Sequence, residues 1–253
     1  MKQPHEPILN VPAIVVATIA ALVLVHAGRV FLLSAENDFA FLLEFAFTPA
    51  RYAYPNEPWP GGLAADVWTF FTHALIHGDV VHLGVNIAWL LPFGSAVARR
   101  FGPARFFALF VVTSVAGAAA HLATHWGEEV FMVGASGAIS GLMAAATRFA
   151  FQRGGPLHLW AQSNFEAYRV PAAPLLDSLR NIRVLAFLTV WFGLNLLFGA
   201  GTLPMPGLSG SIAWQAHIGG FFAGLLLFPL FDPVPRASDV NGNKEPQIDP
   251  LDH

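Results

Sequence analysis

The chain has 253 residues, 55% of them hydrophobic and 11% charged, with a formal net charge of -3 at pH 7 and a mean hydropathy of +0.55. An ordinary soluble domain carries about 25% charged residues, so this composition excludes that class and indicates a polytopic membrane protein. The small negative charge, with no long basic run, argues against nucleic-acid binding, and the absence of cysteine excludes disulfides and thiolate metal sites.

Pro7 to Gly28 runs uncharged between Glu6 and Arg29. As a helix it can cross about 30 Å of hydrocarbon, and without a small-residue cleavage site it is expected to be a retained span rather than a signal peptide. Ser34 to Asp79 is a long connection rich in aromatics, among them Phe39, Phe45, Phe47, Tyr52, Trp59, Trp68 and Phe70. It suits a segment lying in the membrane interface, either as an aromatic anchor or as part of an active-site surround.

Val80 to Ala98, Phe106 to Gly127 and Val130 to Thr147 are the next uncharged stretches of spanning length. A connection from Arg153 to Arg183 contains Pro156, Pro171 and Pro174. Val184 to Phe231 is then long enough for two crossings, divided across Gly199 to Gly210 by Pro204 and Pro206. Six spans are expected. The organisation read from these stretches is a short cytoplasmic N-terminus (1–10), a membrane domain (11–231) and a polar, Pro-containing tail (232–253) expected to be disordered. No internal repeat and no second soluble domain is found.

With both termini in the cytoplasm, all of the 13 lysines and arginines except Arg29 and Arg51 fall inside, a clear positive-inside bias. The connection carrying Glu128 and Glu129 then faces outward, which puts Ser136 near the outer surface.

Two motifs stand in these uncharged runs. Gly134-Ala135-Ser136-Gly137-Ala138-Ile139-Ser140-Gly141 sets a serine between glycines, and Ala216-His217-Ile218-Gly219-Gly220 sets a histidine among small residues. His217, Gly220 and Gly224 share a helix face, while Gly137 and Gly141 form a second small-residue strip directly after Ser136. Small residues let membrane helices approach closely, so packing one strip on the other would bring Ser136 to His217 as a nucleophile and base pair. Ser136 at a helix start would also point its backbone N–H at a developing oxyanion. Neither span holds an Asp or Glu, so no acidic third member is evident. Singly, each feature also has a plain structural reading: glycine strips pack helices, membrane serines bond to their own helix, and a lone histidine can serve as a cap. His82 and Asn86, at i and i+4 on the second span, add two hydrogen-bonding groups on one face, costly in lipid unless turned inward and able to donate to an oxyanion.

These residues resemble the rhomboid intramembrane serine proteases. Gly134-Ala135-Ser136-Gly137 is similar to that family's nucleophile motif, and Ala216-His217-x-x-Gly220-x-x-x-Gly224 to its histidine motif. Trp68-Thr69-Phe70-Phe71-Thr72-His73-Ala74-Leu75-Ile76-His77, with His82 and Asn86, is similar to its approach to the second helix. The resemblance covers roughly residues 66–231. It implies an all-α membrane protein, a six-transmembrane-helix rhomboid-like bundle with a long interfacial first loop, and the compact six-span plan without an added domain fits a bacterial inner membrane better than an organelle. It further implies Ser136 as nucleophile and His217 as general base and acid. His82, Asn86 and the Ser136 backbone would bind the oxyanion, and His73 and His77 would organise the first loop. The implied partners are transmembrane protein substrates and the lipid bilayer, with no cofactor and no metal. The chain departs from many bacterial members at Ser140, where they have a tyrosine packing near the catalytic histidine.

Two other classes remain open. His73/His77 and His121/His125 each read His-x-x-x-His, as in histidine-box di-iron membrane oxygenases, although no adjacent His-His pair occurs; the His-Glu-x-x-His of zinc proteases is also absent. A catalytically inactive relative that binds membrane clients would be expected to lack the serine or the histidine, and both are present.

Overall fold

The computed structural model describes residues 10–157, 165–199 and 213–235. Most of the expected N-terminus, the divider with Pro204 and Pro206, and the tail from residue 236 onward lie outside the described residues. In chain order the helices are α1 (Ala13–Leu32), α2 (Ala35–Phe45), a single turn α3 (Ala50–Ala53) and α4 (Gly62–Thr72). A 3-10 turn, His73–Leu75, leads to α5 (Val80–Trp89), which passes through a π-helical turn (Leu90–Gly94) into α6 (Ser95–Phe101). Then come α7 (Pro103–Thr124), α8 (Ser136–Thr147), α9 (Leu175–Arg180), α10 (Ile182–Gly199) and α11 (Trp214–Phe231). Among the described residues there is no strand, only an isolated antiparallel bridge between Phe47 and Met132.

Among the described residues four helices are long and apolar enough to cross a membrane: α1, the continuous Val80–Phe101 segment, α7 and α11. Pro92 explains the π-helical turn within the second of these, since it offers no N–H and crowds the carbonyl one turn back. Gly102 adopts φ +77°, ending α6, and Pro103 opens α7 with a pre-set φ.

The spans do not stop where the charges begin. Helix α1 runs past Arg29 because that guanidinium is neutralised: it holds both carboxylate oxygens of Asp38 at 2.7 and 3.0 Å and the carbonyl of His77 at 2.9 Å. The expected fourth span is shorter than its uncharged run, for only Ser136–Thr147 is helical. Residues 130–135 are instead drawn into pairing with the first connection, Phe47 and Met132 exchanging backbone bonds of 3.1 and 2.8 Å.

Helix α8 is the centre. Every residue from Gly137 to Thr147 is buried, the signature of a helix surrounded on all sides. Its glycines and alanines keep it thin, so α7 and α11 close on it backbone to backbone. A methyl on Gly220 would overlap the carbonyl of Gly137, one on Gly224 the carbonyl of Gly141, and one on Gly141 the side chain of Thr113 on α7.

The long first connection is a knitted unit. Arg51, 1% exposed, donates to the carbonyls of Leu43 and Pro60 at 2.8 and 2.9 Å and pairs with Asp66 at 3.3 Å. Trp68 and Thr72 of α4 tie back to the carbonyls of Glu44 and Phe45. At the opposite end of the bundle Arg100 grips Asp232 with two 2.8 Å bonds and also donates to the Tyr168 and Val170 carbonyls. Asp232, the first residue of the expected tail, is thus part of the folded body.

Candidate active site

Ser136 is the first residue of α8. The loop before it turns at Gly134, whose φ of +122° only glycine adopts readily. A Cβ there would also lie 2.7 Å from the His82 ring, so this glycine lets the imidazole stand against the serine loop. The Gly134 N–H donates to the carbonyl of His73 at 2.9 Å, which fastens the loop to the end of α4.

His217 lies in the first turn of α11. The glycine contacts between α8 and α11 bring its Nε2 within 2.7 Å of Ser136 Oγ, across 81 positions of sequence. The two small-residue strips meet as their spacing suggested, Gly220 against Gly137 and Gly224 against Gly141.

His82 belongs to α5, whose first turn is capped by Asp79: its carboxylate accepts the His82 N–H at 2.8 Å. Asn86, buried one turn further on, donates from Nδ2 to the His82 carbonyl at 2.9 Å. The amide carries two N–H groups, so one bond holds its rotamer and the second remains for a ligand. His77 places its ring 5.1 Å from that of His82, edge to face. His73 donates from Nδ1 to the Thr69 carbonyl at 2.8 Å, which a carbonyl can only accept. Burial pushes His73 down to about 4 and, with the charges of His82, His26 and Arg29 nearby, His77 down to about 3. Both are neutral at physiological pH.

Ser140 takes no part in supporting His217. Its hydroxyl donates to the carbonyl of Ser136 at 2.7 Å, one turn back along α8. The group that touches the other side of the imidazole is Asn195 of α10, whose Oδ1 lies 2.5 Å from His217 Nδ1. Sequence reading, attentive to charged partners, passed over it. The available signal was a lone amide in an otherwise apolar helix, which in a membrane protein marks a functional position.

The two His-x-x-x-His pairs do not converge. His121 stacks on His125 with ring centroids 4.1 Å apart, and the Phe47 ring contacts both His73 and His121 at 6.1 and 6.5 Å. Among the described residues no three His, Cys, Asp or Glu side chains are grouped to hold a metal ion.

The family model described as the Rhomboid domain matches residues 64–232. The rhomboid protease GlpG of Enterobacter sp. (strain 638) is 36% identical over 90 residues, 35% of this chain and 32% of that protein. GlpG of Pectobacterium atrosepticum is 25% identical over 175 residues, 69% of this chain and 51% of its own. GlpG of Yersinia pestis is 24% identical over 170 residues, 67% and 50% respectively. The matched part of the chain spans about half the length of these relatives or less.

Proposed function

Because the chain belongs to the Rhomboid family, we propose that it is an intramembrane serine endopeptidase, cleaving peptide bonds in or near the transmembrane segments of other membrane proteins. The observation that carries this reading is the 2.7 Å contact between Ser136 Oγ and His217 Nε2, inside an integral membrane bundle. In water a serine hydroxyl is a poor nucleophile; an imidazole nitrogen at hydrogen-bond distance takes its proton as the bond to carbon forms.

In the first step Ser136 Oγ attacks the scissile carbonyl, its proton passes to His217 Nε2, and the carbonyl electron pair moves onto oxygen. That oxyanion is stabilised by the Ser136 backbone N–H, by the free N–H of Asn86 and by the His82 ring. As the first residue of α8, Ser136 has an N–H with no acceptor inside its own helix, at the positive end of the helix dipole. Collapse breaks the C–N bond, and His217 returns the proton to the departing amine. Water, deprotonated by the same imidazole, then attacks the acyl carbonyl, the bond from that carbon to Ser136 Oγ breaks, and His217 returns the proton to Oγ as the acid departs. Each step is completed by these side chains, and the reaction needs no cofactor or metal.

The same reading completes the topology: six crossings, with α8 and α10 as the fourth and fifth, both termini in the cytoplasm, the first connection in the outer interface, and residence in a bacterial inner membrane. The positive-inside distribution of Lys and Arg supports that orientation. To test the activity, detergent-purified protein is treated with a serine-reactive phosphonate or isocoumarin, or with a strong chelator, and cleavage of a transmembrane peptide is followed. The expected result is a covalent adduct on Ser136, loss of cleavage with the serine reagent, and unchanged cleavage with the chelator. Chelator-sensitive cleavage without label on Ser136 would overturn the reading.

A further inference from the structure

We propose that Asn195 is the positioning residue that dictates which nitrogen of His217 is basic. The inference rests on the Ser136–His217 reading above and names the group that makes it work. Imidazole has two tautomers, and only the one protonated on Nδ1 leaves a lone pair on Nε2 to receive the Ser136 proton. Nothing on α8 chooses between them, since the Ser140 hydroxyl is engaged with the Ser136 carbonyl.

Asn195 makes the choice through two bonds at once. Its Nδ2 donates to the carbonyl of Trp191, one turn back on α10, at 2.8 Å. A carbonyl only accepts, so this bond fixes the amide with its nitrogen toward Trp191 and its oxygen toward His217. Oδ1 likewise only accepts, so at 2.5 Å from Nδ1 it requires the proton to be there. Turning the amide over would let its NH2 donate to Nδ1 of the other tautomer, but it would set Oδ1 against the Trp191 carbonyl, exchanging a buried hydrogen bond for a contact between two acceptors. One arrangement satisfies every atom, and it is the one that leaves Nε2 facing Ser136 Oγ at 2.7 Å.

The helices hold this arrangement as rungs of an antiparallel ladder. Trp191 stacks on Phe221 with centroids 4.8 Å apart and planes at 26°. Asn195 meets His217 one turn along, and Gly199 admits the Trp214 ring one turn beyond that, where a methyl would lie 2.6 Å from it. Asn195 is 9% exposed. A buried amide in an apolar helix is costly unless both ends are bonded, and here both are.

A neutral amide orients the imidazolium without offering it a full charge. The test therefore separates the acceptor from the packing. Asn195→Ala and the isosteric Asn195→Leu remove the acceptor, while Asn195→Asp keeps an acceptor oxygen toward Nδ1. Each is purified beside the wild type and Ser136→Ala, and kcat and KM are measured on a transmembrane peptide together with the thermal midpoint. The acceptor-free variants should lose on the order of 10–100-fold in kcat with KM little changed, and Asn195→Asp should recover most of that loss. A packing role would instead make Asn195→Asp the worst of the three and Asn195→Leu the best. Wild-type kcat in Asn195→Leu, or no rescue by Asn195→Asp, overturns the inference while Ser136-dependent cleavage stands. Cleavage surviving in Ser136→Ala would overturn the protease reading itself, and the inference with it.

Discussion

Asn86 shows how little a side chain's identity says until its bonds are known. Its i, i+4 relation to His82 permits an oxyanion role, and the structure shows one of its two N–H groups already spent on the His82 carbonyl. That bond is useful: it holds the amide in one rotamer, so the second N–H costs little entropy when a charged oxygen arrives. Asn86→Ala should lower turnover roughly 10–1,000-fold with a smaller change in KM, because the bond forms mainly in the transition state. The check is steady-state cleavage of a transmembrane peptide, and unchanged kcat would leave Asn86 a purely structural residue.

At the level of elements, the decisive contact is α8 against α11. Glycine carbonyls and glycine Cα atoms touch there, with no side chain between that could yield. Gly220→Val should therefore inactivate the protein although it alters neither Ser136 nor His217, because the branched side chain would have to displace the Gly137 carbonyl and with it the turn that carries the serine. Gly193→Val on α10 is the control, since nothing lies within 4 Å of a methyl there. Cleavage rates and thermal midpoints of the two variants decide: full activity in Gly220→Val would mean that the α8–α11 contact does not position the site. The ladder between α10 and α11 depends on the same kind of fit. Trp191 and Asn195 are presented one turn apart to Phe221 and His217, so the α10 register matters as much as its presence.

Across the whole molecule, the first connection, the loop before α8 and the start of α5 meet around buried neutral histidines. His73 passes its carbonyl to Gly134, and His77 passes its carbonyl to Arg29. Their pKa values, pushed down to about 4 and about 3 from an ordinary 6.5, make the assembly acid-sensitive. Below pH 6.5 the unfolded chain takes up protons on these two residues while the folded chain does not, so unfolding is favoured as pH falls. The full contribution is present above 6.5 and is lost progressively down to about 4 for His73 and about 3 for His77, at about 1.4 kcal/mol per histidine for each pH unit. Thermal midpoints in detergent should fall steadily from pH 7 to pH 4.5, and His77→Asn should flatten that slope. A midpoint indifferent to pH over this range would contradict the assignment of buried, neutral histidines.

Much of this protein follows from its sequence read alone. Hydropathy requires a membrane, because so few charges cannot cover a soluble surface. The serine, the histidine and the two glycine strips declare themselves through spacings of three, four and seven residues, which are properties of one helix and need no partner to be visible. What a residue meets on another helix is a different kind of information. That Arg29 lies inside a span depends on Asp38 and the His77 carbonyl closing over it. That α8 begins only at Ser136, and not at Val130, depends on the Phe47–Met132 bridge drawing the preceding residues away from a helix. Asn195 is the clearest instance. In the chain it is one amide in an apolar run, and only the rotation of α10 against α11 turns that amide toward His217 rather than toward lipid, since side-chain direction across a helix pair is set by packing and not by local periodicity.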